Sequence, residues 1–275
     1  MPATYAHLCF GRRVLRELPE GDLKALIDAN PDLFEIGLIG PDILFFYHPL
    51  RHHPVNRIGY RLHDESGVSF LERALCKDAS AQQMAYLLGF VCHYTLDSEC
   101  HTLVEYYMEK TGRGHSDLET DLERVLMLRD GRDPCKHVAA GNICDTGANA
   151  TVIAPFYGIK GCEVKTALTT MKLVGRLLTP SSALKHKLLT QAGRLMGEGS
   201  VVSQLTMNRT PDPVYAQSNR ELTARMEQAV PVAVALMENF LAWRRGEGTL
   251  SQRFLPTFSY DERELARLKE RDMRV

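Results

Sequence analysis

The chain has 275 residues, 44% hydrophobic and 24% charged, long enough to bury a core without staples and outside the disordered, collagenous and membrane classes. Its formal net charge of -1 gives no strong nucleic-acid signature and no overall attraction to an anionic membrane, so any polyanion binding must be local. No run of about 18 apolar residues marks a transmembrane segment, and the opening M-P-A-T-Y-A-H-L-C-F-G-R-R-V lacks the basic and apolar regions of a signal peptide.

Helical periodicity dominates, without alternating strands or paired hairpin turns, which predicts an all-α multi-helical bundle. A short helix over 11–18 stops at Pro19, and a second starts near Asp22, whose side chain can cap it. A third opens with Pro31 in its first turn and ends near Gly40. With two prolines, a glycine and several cations, 49–63 reads as a structured loop or broken helix. Helical pattern resumes over 66–76, and a long helix runs from 80 to about 110. Gly112 and Gly114 break the chain before a helix beginning H-S-D-L-E that ends near Asp130. The turn-rich stretch 131–161 yields no assignment. Three more helices follow at 163–178, 181–196 and 213–245, with Pro231 expected to kink or divide the last. A charged helix over 261–274 closes the chain. The chain reads as one domain over 1–275, and seven cysteines without paired spacing suggest reduced thiols in a cytoplasmic protein.

Within the long helix the stretch G-F-V-C-H-Y-T-L-D-S-E-C-H, residues 89–101, places His93, Asp97 and His101 at steps of four. Such residues differ by about 40° in direction and about 6 Å in height, so the three share one face. The two histidines are then about 12 Å apart along the axis, too far for one tetrahedral ion with bonds of about 2 Å, which favours more than one metal. Asp97 lies between them with two oxygens to offer. His115 and Glu119 are again four apart, and a two-glycine turn makes their helix a plausible antiparallel neighbour. His101, His115 and Glu119 would form a two-histidine, one-carboxylate zinc shell with an open position for water. Partners for His93 and Asp97 lie upstream, among His7, Asp42, His48, His52, His53 and His63.

Taken together these residues resemble the zinc-dependent phospholipase C family, which shares its all-α fold with single-strand-specific nucleases. The match runs through His7 in Y-A-H-L-C-F-G, Asp42 in G-P-D, His63 in R-L-H, His93-x3-Asp97-x3-His101 and His115-x3-Glu119. It covers roughly 5–125, with the remainder completing the bundle around a metal cluster between central helices. The resemblance implies a zinc cluster of two or three ions hydrolysing a phosphodiester or phosphomonoester, with a small-molecule or lipid substrate. One ion would take Asp42, His63, His93 and Asp97, and a second His101, His115 and Glu119. A third would take His7 with Asp97 bridging, although in secreted relatives a processed N-terminal residue completes that site and here Met1 stands six residues before His7. Asp42 is implied as the catalytic residue that orients the attacking water or accepts its proton.

Arg51, Arg57 and Arg61 could hold a phosphate through forked hydrogen bonds or simply decorate a solvated loop. Phe45, Phe46 and Tyr47 read as core, as do Cys9, Cys92 and Cys100, the last two turned about 100° from the histidines that follow them. His137 and His186 stand outside the cluster. Two rival readings remain open: an HD-type metal phosphohydrolase using His63 and Asp64, and a binding or scaffold protein that keeps the metals without turnover.

Overall fold

The computed structural model describes residues 4–74, 79–197 and 200–273. Among them are thirteen α-helices, three short 3-10 segments and no strand beyond a single isolated bridge, so the chain is all-α as its periodicity predicts. The helices are α1 (Thr4–Glu17), α2 (Asp22–Asp28), α3 (Pro31–Ile39), α4 (Pro54–His63), α5 (Gly67–Ala74), α6 (Ala81–Thr111) and α7 (His115–Arg129). After them come α8 (Gly147–Tyr157), α9 (Gly161–Leu178), α10 (Ala183–Met196), α11 (Val201–Leu205), α12 (Ala216–Arg244) and α13 (Glu262–Met273).

The long helix α6 is the spine. Ser80 caps it by accepting the Gln83 backbone N–H, while the Gln83 side chain accepts the Ser80 N–H, and Gly112 ends it in the left-handed conformation at φ 67°. This reciprocal cap and glycine stop match the boundaries read from the sequence. Helices α3 and α12 pack against α6, and the buried side chains from α1 to α13 join in one hydrophobic cluster. The α3 contact is backbone to backbone: a methyl group on Gly37 would collide with the Tyr86 carbonyl oxygen, and one on Gly89 with that of Phe34. Only glycine at both positions lets the two helices approach this closely.

Several boundaries differ from expectation. Helix α1 starts at Thr4, not at 11, because Tyr5 to Phe10 are all buried and so show no polar face to give the helix away. Asp22 is the first residue of α2, and Gly21 before it holds the cap position without a side-chain bond. Residues 54–63 form a regular helix: Pro54 sits at the first helical position, where its missing N–H costs nothing, and His53 caps it through the Val55 N–H. The unassigned stretch contains α8, capped by Thr146 and ended by Gly158. Pro231 neither divides nor ends α12, where it lies on an exposed face that leaves the carbonyl it strands open to water. The expected end of the fifth helix at Cys76 lies outside the described residues, as does Arg274. No helix among the described residues is long and apolar enough to cross a membrane.

Candidate metal centre

Four elements converge on the face of α6 that carries His93, Asp97 and His101. Helix α1 brings His7, the 3-10 segment Gly40–Phe46 brings Asp42, the last residue of α4 is His63, and the first turns of α7 bring His115 and Glu119. Gly40 makes the turn out of α3 at φ 56°, and a methyl group there would stand 2.7 Å from the His93 ring. The eight side chains form three groups: Asp42, His63 and His93; His7, His93 and Asp97; and His101, His115 and Glu119.

Asp97 joins them. Its Oδ2 lies 3.1 Å from His93 Nε2 and 3.8 Å from His63 Nε2, while Oδ1 lies 3.2 Å from His7 Nε2 and 3.8 Å from His101 Nε2. His63 Nε2 is 3.0 Å from Asp42 Oδ1, and Glu119 Oε1 is 3.0 Å from His115 Nε2 and 3.7 Å from His101 Nε2. Among the upstream histidines, His63 is the one against Asp42. His48 and His53 instead pack on Tyr47, and His52 is exposed.

Backbone carbonyls set the tautomers. His63 Nδ1 faces Gly59 O at 2.8 Å, His93 Nδ1 faces Leu38 O at 3.2 Å, and His101 Nδ1 faces Phe258 O. A carbonyl only accepts, so each Nδ1 carries a proton and each Nε2 is aimed into the cluster, where it offers a lone pair once any proton of its own has left. His93 Nε2 and Asp42 Oδ1 are buried without a hydrogen-bond partner. Burial pushes the three carboxyls up, but neighbouring histidines outweigh it: His63 and His93 hold Asp42 below the usual range, and Asp97 and Glu119 lie well below it. Burial lowers the His93 imidazole, although Asp97 pulls it the other way. His101 is driven up to about 9, because Asp97 and Glu119 overcome its burial. Three ionised carboxylates thus share a buried space that demands positive charge, which a protonated imidazole such as His101 or a bound cation can supply. A set of imidazole and carboxylate donors fits zinc.

The cluster opens at one end. The His93 side chain is fully buried and that of His115 is 32% exposed, bordering cavities of about 510 and about 530 Å³. The first is lined by Phe45, Leu50, Arg51, His52, Tyr60 and Met196 among others, so Arg51 stands at this mouth. Arg57 and Arg61 are exposed and line neither cavity, and Arg61 pairs with Glu65. Phe45 is buried, stacks on His63 and packs at a tilt on Tyr60 with ring centroids 4.6 Å apart. Asp64 is exposed and belongs to none of the three groups, so the His63-Asp64 reading lacks its second ligand. Cys9, Cys92 and Cys100 are buried with their thiols pushed up by burial and join no group. His137 packs on Tyr5 and His186 lines the second cavity.

Three contributions carry no sequence signal. The carbonyls of Leu38, Gly59 and Phe258 are backbone groups, and Phe258 is supplied by the segment before α13. That segment is tied down by Tyr94, whose hydroxyl oxygen is 2.9 Å from both the Arg253 and Pro256 carbonyls. The Phe258 ring roofs His63 and His93, with centroids 5.3 and 5.9 Å away.

Glu123, one turn past Glu119, accepts the Tyr5 backbone N–H in the first turn of α1, two residues before His7. Burial pushes its carboxyl up to about 8, although the Tyr5 amide favours the charged form. The folded chain therefore keeps a proton that the unfolded chain loses at about 4.3. The contribution is fully present below that value and declines as pH rises to about 8. Glu123→Gln should abolish the decline and stabilise the protein above about pH 8 by a few kcal/mol. Thermal melts of both proteins from about pH 5 to about pH 9 check this, and parallel profiles would place the proton elsewhere.

Comparison with known proteins adds one positive finding. The family model for zinc dependent phospholipase C matches residues 6–157, more than half of the chain and all eight clustered side chains. No curated protein and no solved structure matches it.

Proposed function

Because the chain belongs to the zinc-dependent phospholipase C family, we propose that it hydrolyses a phosphodiester or phosphomonoester at a zinc cluster built on α6. The observation that carries the reading is the division of Asp97 between two sets of histidine nitrogens, Oδ2 facing His93 and His63 and Oδ1 facing His7 and His101. Asp42, His63, His93 and Asp97 Oδ2 would hold one ion, and His101, His115 and Glu119 a second. His7 with Asp97 Oδ1 is a partial shell for a third, a site that in secreted relatives the processed N-terminal residue completes; residues 1–3 here lie outside the described part. Zinc supplies a Lewis acid for phosphoryl oxygens and makes water nucleophilic near neutral pH.

The chain's own groups do the rest. Asp42 stays ionised beside His63 and orients the attacking water or accepts its proton. His115 marks where substrate enters, and Arg51 at that mouth offers a fork of donors to a phosphate. The Phe258 ring and the buried face of α6 keep bulk water from the inner end, which strengthens every charge interaction there.

Purified protein should carry two or three zinc ions by elemental analysis and hydrolyse at least one member of a panel of phospholipids, nucleotides and chromogenic phosphoesters. Asp64→Ala should leave both properties within about twofold of wild type, since exposed substitutions remote from a site change little. Protein that lacks zinc and gains nothing on its addition would sink the proposal. Full zinc occupancy with no turnover across the panel would favour the scaffold reading.

A further inference from the structure

Between Val164 and Gly197 the sequence holds six lysines and arginines, at 165, 172, 176, 185, 187 and 194, and no aspartate or glutamate. In a chain of net charge -1 this is a pronounced local excess. It coincides with exposed apolar surface. On α10, Leu184, Leu188 and Leu195 are 69%, 57% and 89% exposed, and helical geometry places them within about 40° of one another. Lys187 and Arg194 flank this stripe on one side, about 60–80° around from Leu184. Leu173 and Leu177, one turn apart on α9, are also exposed, and α10 is tied to the end of α9 by Lys185, which donates to the Arg176 carbonyl. Among the described residues Arg176, Lys185, Lys187 and Arg194 have no acidic partner in an ion pair.

The stripe ends at the candidate site. Met196, 52% exposed, closes α10 and lines the cavity that reaches His115, with Leu50, 77% exposed, and Tyr60 on the same rim. We infer that the exposed face of α10 docks this protein on an anionic lipid bilayer, with its leucines in the interface and the mouth at His115 turned toward the headgroups. A basic amphipathic helix lies on a membrane in this way, its cations held by anionic lipid and its apolar side chains just below them. Pairing with a second copy through the same face would set cations against cations across a twofold axis. The inference bears on the proposed phosphoesterase only in turning its mouth toward the bilayer, and to that extent rests on that reading.

The test is co-sedimentation of the full chain with vesicles of phosphatidylcholine alone or of an equal mixture with phosphatidylglycerol. Wild type should partition to the mixed vesicles and not to phosphatidylcholine, less so as salt rises. The variant L184Q/L188Q/L195Q should lose affinity on the order of tenfold or more, and K185E/K187E about tenfold. Both should hydrolyse a soluble chromogenic phosphoester at the wild-type rate. The charge variant keeps the test decisive if the leucine variant misfolds. Wild type that ignores mixed vesicles, or variants that bind as wild type does, would overturn the inference. So would a leucine variant that binds vesicles normally but turns a dimer into a monomer in sedimentation velocity. Vesicle binding by a protein that cleaves no phosphoester would retain the docking face and reject the enzymatic reading. Turnover of soluble ester without vesicle binding would do the reverse.

Discussion

Asp97→Asn should cost the protein at least one zinc ion and lower phosphoester hydrolysis by about a thousandfold or more. The substitution keeps the volume of a side chain that is only 7% exposed, so cavity formation plays no part. What changes is the donor set. Asp97 now presents one oxygen to His93 and His63 and the other to His7 and His101. Asparagine has one oxygen and one NH2 group, and whichever nitrogens the NH2 faces receive a donor where a cation should bind. The cluster also loses one of its three negative charges, weakening the field that holds both ions. Circular dichroism should be unchanged, because α6 keeps its caps and its packing. Full zinc content with activity within tenfold of wild type would show that Asp97 is not the joint between the groups.

Gly89→Ala should destabilise the protein by about 3 kcal/mol or more, and so lower its melting temperature by about 10 °C. The new methyl group meets the Phe34 carbonyl oxygen and the Gly37 backbone rather than a movable side chain. Neither helix can yield by rotating a side chain, so α3 must move away from α6. Leu38 follows Gly37 on α3, and its carbonyl fixes the proton on His93 Nδ1. Zinc affinity should therefore fall along with stability, on the order of tenfold or more, the usual cost of disturbing a ligand's supporting hydrogen bond. Gly147→Ala is the control: a methyl group there meets nothing within 4 Å, and its effect should stay within about 0.5 kcal/mol.

The parts of the centre legible in the sequence are those in which one helix carries more than one residue of a group. His93, Asp97 and His101 on α6, and His115 and Glu119 on α7, announce themselves by a spacing of four, which helical geometry converts directly into a shared face. His7, Asp42 and His63 each come alone from a different element, and no periodicity ties them to α6, so the family resemblance had to do so. His63 also hid in a stretch whose prolines suggested a broken helix, although Pro54 opens α4 rather than breaking it. The start of α1 was obscured for the opposite reason: buried on every side, it has no polar face to reveal its period. The carbonyls of Leu38, Gly59 and Phe258 left no trace at all, because every residue has a carbonyl and only the fold decides which one meets an imidazole.

Phe258 gives the centre an order of assembly. Translation releases His7 first and Glu119 long before Phe258, which follows more than a hundred residues later. All eight clustered residues are therefore translated while the His101 Nδ1 still has no carbonyl to face and His63 and His93 have no roof. In that interval the His101 ring is free to change tautomer, while the Gly59 and Leu38 carbonyls still hold those of His63 and His93. A chain that ends before Phe258, even one retaining every clustered residue, should therefore hold metal less tightly at the group of His101, His115 and Glu119.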